Sequence, residues 1–269
     1  MPRLPGTLFV KNLIERRGLV FQLVRRDFEQ RFVGSAAGWL WGIIHPLVLL
    51  VSWTFVFSIC LKQELPKGEV TTNYPLFLFA GMLPWLLFSE TVLRSANSLL
   101  DHANLITKTV FPAEVVPVSI FLSSLVSHLL ALGLVVAAIA LWLNHISVLL
   151  LVLPVYMLLL GLFAVGIGWI VASLQVYLRD TAQMLSVVLT FWFWLTPIFI
   201  TESQIPVEIR FLLYGNPIAY VVRAYRQALL SYRLPDAADF GVLVICAVST
   251  FVVGGLFFRH MKRGFADVL

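Results

Sequence analysis

Six long apolar stretches constrain the fold of this 269-residue chain more than any other feature of its sequence. They cover about residues 39–61, 74–93, 115–143, 146–174, 182–200 and 240–258. Each one approaches or exceeds the ~20 mostly apolar residues that a helix needs to cross a bilayer. Only helices and closed barrels satisfy every backbone group in lipid, and these continuous runs lack the alternation of barrel strands. The sequence therefore predicts an all-α membrane protein with six transmembrane helices.

The overall composition agrees with this class. Hydrophobic residues make up 60% of the chain, whereas Asp, Glu, Lys and Arg make up only 12%. Ordinary soluble domains are about 45–50% apolar and roughly 25% charged. A soluble core cannot bury such an excess, because the surface of a domain still needs a polar coat. A soluble enzyme, a disordered scaffold and a nucleic-acid-binding domain are therefore excluded as default interpretations, and we expect no nucleic-acid partner.

The basic residues predict the orientation in the membrane. Of the 19 Lys and Arg residues, 13 lie in segments that six spans would place on the same side as both termini. Lys and Arg are in excess on the cytoplasmic side of membrane proteins. We therefore expect a multi-pass protein of the cell inner membrane with both termini in the cytoplasm.

Residues 1–37 are too polar for a signal peptide and carry an amphipathic pattern. Val20, Val24, Phe28 and Phe32 recur every four residues in an otherwise basic segment. This pattern is typical of a helix lying in the membrane interface, and a soluble helix that packs on a partner protein is the alternative. We therefore divide the chain into a cytoplasmic amphipathic interface helix at 1–37 and a transmembrane domain at 38–269.

No residue pattern indicates catalysis or metal binding. The sequence has no G-x-x-x-x-G-K-[ST] phosphate loop, no H-E-x-x-H and no metal-ligand spacing among its five histidines. Glu90 lies well inside a span and four residues before Arg94, so we expect the two side chains to neutralise each other. The other spans hold no carboxylate, which disfavours a proton-coupled transporter. We expect no catalytic residue, metal or bound cofactor in this chain.

Aromatic residues are concentrated in the first and fifth spans. The candidates are Trp39, Trp41, Trp53, Phe55, Phe191, Trp192, Phe193, Trp194 and Phe199. Trp residues at span ends usually form an interfacial belt, but the run at 191–194 circles its helix. Aromatic faces can stack on the weakly apolar faces of sugar rings. These side chains therefore either line a path for a glycan or pack against lipid.

About 40 residues separate spans five and six, and their charges sum to zero. Pro206, the apolar run at 211–214 and Pro217 suggest short amphipathic helices that dip into the outer leaflet. Irregular backbone at that depth is tolerated only where protein or a wet cavity surrounds it. Both a gate and a plain external loop fit this pattern.

Four sequence blocks resemble the ABC-2 type permease family, and most closely the permeases of O-antigen, capsule and teichoic acid exporters. They are RRDFEQRFVGSAAGWLWGIIHPL (25–47), NLITKTVFPAEVVPVS (104–119), YLRDTAQMLSVVLTFWFWLTPIFIT (177–201) and NPIAYVVRAYRQALL (216–230). The blocks follow the order and spacing of the family over essentially the whole chain. The resemblance implies a homodimer joined to two copies of a separate ATPase subunit, which would hold the ATP and Mg²⁺.

The resemblance also implies roles for individual residues. Contacts with the ATPase fall on a main coupling helix and a second turn, at Asp101, Asn104, Leu105, Lys108, Pro112, Arg179 and Asp180. The diphosphate of a polyprenyl-pyrophosphate-linked glycan would enter beside the basic residues Arg25, Arg26 and Arg31. The external gate helices would include Gln204, Ile205, Pro206, Phe211, Tyr214, Pro217 and Tyr220.

ATP-driven export of a polysaccharide is the function that the resemblance implies. Closure of the ATPase dimer would move the coupling helices and open a channel lined by spans one and five. Two alternatives stay open at this point. One is an ABC-2 exporter of a drug or lipid, and the other is a secondary transporter or channel without an ATPase.

Overall fold

A computed structural model describes residues 16–32, 38–66, 68–109, 111–143, 147–231 and 233–269 of the protein. All regular secondary structure in these ranges is helical, which confirms the predicted all-α class. Residues 1–15 and 33–37 of the predicted interface-helix unit lie outside them. So does the link between the predicted third and fourth spans.

Eleven α-helices lie in the described part of the chain. They are α1 (Arg17–Phe32), α2 (Trp41–Trp53), α3 (Tyr74–Asp101), α4 (Ala103–Lys108), α5 (Val115–Leu143), α6 (Leu153–Tyr177), α7 (Thr181–Leu195), α8 (Phe211–Tyr214), α9 (Pro217–Leu230), α10 (Ala237–Met261) and α11 (Phe265–Val268). A π-helical segment, Thr54–Cys60, continues α2, and a 3₁₀ segment, Val148–Val152, precedes α6.

Five of the predicted spans are long apolar helices in the structure. They are Trp41–Cys60, Tyr74–Asp101, Val115–Leu141, Val148–Tyr177 and Ala237–Gly264. The predicted fifth span, at 182–200, forms only the 15-residue helix α7. A helix of this length rises ~22 Å, which is less than the ~30 Å hydrocarbon core. Five spans are therefore supported by helix length, and α7 by itself is too short to be counted as the sixth. The count of six spans stays a prediction.

A proline explains why α7 is short. Thr196 has extended backbone angles (φ −88°, ψ 131°) and is followed by Pro197. Proline disfavours a helical conformation in the residue before it. The segment from Thr196 to Thr201 is consequently irregular, although its composition is as apolar as that of a span.

The second predicted span is longer than its apolar stretch. Asn73 caps the start of helix α3, because its side-chain Oδ1 accepts a hydrogen bond from the backbone N–H of Leu76 at 3.2 Å. The helix then continues to Asp101. Arg94 and Asp101, which we expected in the following loop, therefore lie on the helix.

Helix α3 is the most enclosed span, and α5, α6 and α9 pack around it. On the other side of α6, helix α10 approaches so closely that the contact requires glycine. A Cβ atom on Gly254 would lie 2.2 Å from the carbonyl oxygen of Gly166. A Cβ atom on Gly166 would lie 2.5 Å from the carbonyl oxygen of Thr250. Small residues allow such backbone contact, which is a main source of helix association in membranes.

Helix α1 packs beside the first half of α5. Val20 and Leu23 are buried against Val115, whereas Arg25 and Arg26 are exposed on the opposite side. The amphipathic pattern of the segment therefore attaches this helix to the bundle and leaves its basic face free.

We expect Gly254→Leu to destabilise the protein by about 1–3 kcal/mol or more, because the new side chain meets backbone that cannot move aside. Gly241→Leu is the matched control, since it lies on the same helix with no atom within 4 Å of the added Cβ. Thermal unfolding of the two variants in detergent measures the difference. Equal melting temperatures would show that α6 and α10 do not touch as described.

Candidate functional site

Aromatic residues from α2, its π-helical continuation and the end of α7 meet around Phe199. The ring centroid of Phe199 lies 5.5 Å from that of Trp53, 4.8 Å from Phe57, 5.4 Å from Phe193 and 5.4 Å from Trp194. We call these five residues the Phe199 cluster. The structure thus brings together four of the aromatic candidates and adds Phe57. Phe199 itself is buried, whereas Trp194 has 65% of its surface exposed.

The other aromatic candidates do not join this cluster. The indole of Trp192 points into the bundle, where Nε1 donates to Asn216 Oδ1 at 2.9 Å and the ring packs edge-on against Phe88. Trp41, Phe55 and Phe191 are exposed on the surface of the single chain. The side chain of Trp39 lies outside the described part of the protein.

One face of α7 carries polar side chains that the sequence interpretation overlooked. Gln183, Ser186, Thr190 and Trp194 recur at intervals of three or four residues, and all four are exposed. Residues at this spacing share one side of a helix. Three polar groups in line are unfavourable against lipid tails, so this face is suited to water, a polar ligand or protein. The three-to-four periodicity of polar residues was the signal that could have revealed it.

A buried arginine holds the segment that carries Phe199. Arg226 on α9 donates to the carbonyl oxygens of Pro197 at 2.8 Å and Ile198 at 2.6 Å, and to that of Phe77 at 3.3 Å. The hydroxyl of Tyr74 donates to the carbonyl oxygen of Phe199 at 2.8 Å. The bonds to Pro197, Ile198 and Phe199 satisfy carbonyl groups of the irregular segment after α7, which have no helical partners. The two arginines in the largely apolar block at 216–230, of which Arg226 is one, were the sequence signal for this contact.

The segment predicted to form an external gate consists of short helices. Two 3₁₀ turns, Glu202–Gln204 and Val207–Ile209, precede α8 and α9. Among the candidates, Ile205, Pro217 and Tyr220 are buried, whereas Gln204, Pro206, Phe211 and Tyr214 are exposed. Arg223 ties the segment to its surroundings, because its guanidinium contacts Glu202 at 2.8 Å and also Asp239. Nothing in this geometry assigns the segment a gating motion, which stays a prediction.

Four charged side chains form a network where α1 meets α3. Arg31 lies 2.6 Å from Glu90, and Arg94 lies 2.5 Å from Asp27. The expected Glu90–Arg94 pair is looser, at 3.7 Å. Burial lowers the pKa of Arg31 from its ordinary value, although the Glu90 carboxylate favours the charged form. The shortest contacts therefore join two helices, and the longer pairs, Arg31–Asp27 and Arg94–Glu90, lie within one helix.

This network alters the interpretation of the basic residues on α1. Arg31 is paired with carboxylates, and its guanidinium also donates to Ser124 at 3.0 Å and Ser127 at 3.2 Å. Such a residue is less available to a diphosphate than an exposed one. Among the residues that the structure describes, Arg25 pairs with Glu29 on its own helix and is exposed, and Arg26 is exposed as well.

A cavity of about 450 Å³ lies beside the network. Its walls are mostly apolar side chains from α2, α3 and α5, and its polar lining includes Arg31, His45, Glu90 and His128. The cavity could accommodate part of an amphiphile. Within the described residues, no group of three or more His, Cys, Asp or Glu side chains is placed to hold a metal ion.

The predicted coupling residues lie at one end of the bundle, which we call the α4 end. Helix α4 contains Asn104, Leu105 and Lys108, and Asp101 is the last residue of α3. We had expected Pro112 to contact the ATPase. In the single chain, however, Pro112 is buried in front of α5 and presents no exposed surface.

The Arg179–Asp180 turn, the second predicted contact with the ATPase, is stabilised by a glutamine that the sequence interpretation missed. Gln175 Nε2 donates to the carbonyl oxygen of Arg179 at 2.9 Å and to Asn97 Oδ1 at 3.1 Å. Its Oε1 accepts from the backbone N–H of Ala182 at 2.7 Å. A single buried amide thereby fixes the turn between α6 and α7 to α3. A lone Gln in an apolar run was the available signal.

A bundle of long apolar helices, with charged contacts near its ends and a polar, aromatic face along a short helix, is the architecture of a multi-pass membrane protein. The chain belongs to the ABC-2 type transporter family, whose model matches residues 18–230. This family and the apolar helices make it a multi-pass inner-membrane protein.

Curated relatives match over nearly their whole length. The chain is 31% identical to the O-antigen export system permease protein RfbA of Myxococcus xanthus, over 96% of this chain and 98% of the relative. It is 27% identical to the protein of the same name from Klebsiella pneumoniae, over 93% and 95%. It is 23% identical to the polysialic acid transport protein KpsM of Escherichia coli, over 90% and 92%.

We expect Gln175→Ala to release the Arg179–Asp180 turn and to destabilise the protein by about 1–3 kcal/mol, since buried polar groups lose their partner. Gln183→Ala on α7, where the glutamine is exposed, is the control. Hydrogen exchange at residues 178–182 should accelerate in the first variant only. Unchanged exchange would show that the amide does not hold the turn.

Proposed function

We propose that this chain is the transmembrane subunit of an ATP-driven exporter that moves a polysaccharide from the cytoplasm across the inner membrane. The observation that carries the proposal is the near full-length similarity to permeases named for O-antigen export and polysialic acid transport. The chain has no phosphate-binding loop, so ATP and Mg²⁺ would be held by a separate ATPase subunit.

The exposed face of α7 gives the proposal a physical basis. Its hydroxyl and amide groups can exchange hydrogen bonds with sugar hydroxyls, and the ring of Trp194 can stack on sugar faces. Contacts of this kind are weak and repeated, which suits a polymer that must slide. In this arrangement Trp194 lines the path, whereas Trp192 and Phe199 hold α7 and its irregular end in place.

The lipid-linked end of the substrate would arrive at α1. We infer a polyprenyl-pyrophosphate carrier, because a diphosphate suits basic side chains near an anionic membrane surface. The exposed Arg25 and Arg26 are better placed for it than Arg31, whose charge is already compensated. The 450 Å³ cavity beside Arg31 offers apolar walls for the adjoining part of the carrier.

A homodimer with two ATPase subunits would complete the exporter. In the single chain both the outer side of α2 and the polar face of α7 are exposed, so a second copy is needed to close a path around a polar polymer. The α4 end would face the cytoplasm, in agreement with the distribution of Lys and Arg. ATP-driven closure of the ATPases would push on α4 and on the Arg179–Asp180 turn, and the two chains would separate along α2 and α7.

The two alternatives are less well supported. An ABC-2 exporter of a drug or lipid would share this fold, but the relatives are named for O-antigen and polysialic acid. A secondary transporter or channel without an ATPase conflicts with membership of the ABC-2 family.

The proposed function is tested by purifying the chain with its ATPase in mild detergent and reconstituting both in liposomes. Lipid-linked glycan should stimulate ATP hydrolysis and cross the membrane only when ATP is present. An ATPase that co-purifies but does not respond to glycan would point to a different cargo. Failure to recover any ATPase would favour a transporter of another class.

We expect Trp194→Ala to lower the rate of glycan export about five- to tenfold, equivalent to about 1–1.4 kcal/mol of lost aromatic contact. Trp194→Phe keeps an aromatic face and should retain most of the rate. Val188→Ala removes an exposed apolar side chain from another side of the same helix and serves as the control. Assembly with the ATPase should be unchanged in all three variants. An export rate unaffected by Trp194→Ala would indicate that this side chain packs against lipid and does not line the path.

A further inference from the structure

The last residues of the chain fold back onto the α4 end of the bundle. After α10 ends at Met261, a 3₁₀ turn, Lys262–Gly264, leads into α11, and α11 packs against α4. The amine of Lys262 lies 2.6 Å from the carboxylate of Glu114, the residue just before α5. The Glu114 side chain is only 10% exposed.

Aromatic packing fixes this C-terminal segment in place. Phe265 is 1% exposed, and its ring centroid lies 5.5 Å from that of Phe258 and 6.2 Å from that of Tyr177. The Tyr177 hydroxyl donates to the carbonyl oxygen of Met261 at 3.0 Å. It also fills the space beside Gly264, where an added Cβ would lie 2.6 Å from the hydroxyl oxygen. The segment is therefore an integral part of the bundle and joins α6 to the end of α10.

Glu114 occupies a junction between helices. Its backbone carbonyl oxygen accepts a hydrogen bond from the indole of Trp169 on α6 at 2.9 Å, while its carboxylate binds Lys262 beyond α10. Only a short connection separates it from α4, which ends at Lys108. Glu114 thus offers a route from α4 to α5, α6 and α10, in addition to the direct packing of α11 on α4.

We propose that the Lys262–Glu114 ion pair is a positioning contact that couples α4 to the last span. The pair lies away from the polar face of α7 and from the network around Arg31, so it acts by transmitting motion and not by touching substrate. Without it, a motion of α4 would reach α10 mainly through the packing of α11 on α4, so the coupling would be weaker. This inference rests on the proposed function, because α4 is the element on which the ATPase would push.

The experiment compares single charge reversals with their combination. Lys262→Glu and Glu114→Lys are made separately and together, and Arg263→Glu is the matched control because Arg263 is adjacent and exposed. Lys262→Met is added as a milder variant that removes the charge without creating repulsion. Hydrogen exchange of residues 103–108 is measured in the isolated chain, and glycan exported per ATP hydrolysed is measured in the complex.

Each single reversal should accelerate exchange in α4 and lower export per ATP by about threefold or more, while the ATPase still co-purifies. Lys262→Met should show the same change to a smaller extent. The double reversal should restore both values, and Arg263→Glu should change neither. Pairs in direct contact are expected to couple in this way, whereas separate sites give additive effects.

Single reversals that behave like Arg263→Glu, or a folded double reversal that restores nothing, would overturn the inference. The exchange measurement needs neither ATPase nor glycan, so it tests the ion pair even if the proposed function fails. If the unmodified complex exports glycan and the variants do so with unchanged efficiency, the proposed function stands and the positioning role is wrong.

Discussion

Close backbone contact and buried polar bonds hold this bundle together, because lipid tails are as apolar as the helix surfaces and give them little reason to associate. Gly166 and Gly254 have no side chains between them, which allows the backbones of α6 and α10 to touch. The buried amide of Gln175 and the guanidinium of Arg226 each connect one irregular segment to α3. The arrangement of the helices depends on these few positions, whereas the other apolar side chains mainly make the helix surfaces compatible with lipid.

Arg226 shows how one buried charge makes an irregular segment tolerable in an apolar region. The chain at 196–199 has left the helix, so its carbonyl groups need donors, and a planar guanidinium supplies several at once. The same contact fixes the position of Phe199 and therefore of the aromatic side chains around it. Pro197 ends α7 early, and Arg226 stabilises the irregular segment that follows it. The polar face of α7 is the place where we propose that the polymer passes.

Ionic contacts lie near the ends of the bundle, and they join elements that belong to different helices. The α1 network connects α1 with α3, the Lys262–Glu114 pair connects the C-terminal segment with α5, and Arg223 connects α9 with α10. Exposed ion pairs contribute little to stability, but partly buried ones constrain geometry, since separating them leaves a charge without a partner. Their placement suits a protein in which force applied at one end must reach the other helices.

The sequence by itself determined the class, the family and most of the spans. Uninterrupted apolar runs leave a chain in lipid no option but helices, and the four motif blocks are local and therefore visible without coordinates. Pro197 also predicts the early end of α7, but the apolar composition of the residues around it led us to predict a longer span.

Tertiary structure alone decided which partners the polar side chains bind. Arg31 pairs with Glu90, Gln175 holds a turn, and Trp192 packs inward while Trp194 faces out. Those outcomes depend on distances between residues far apart in the chain, and a single sequence contains no measure of such distances.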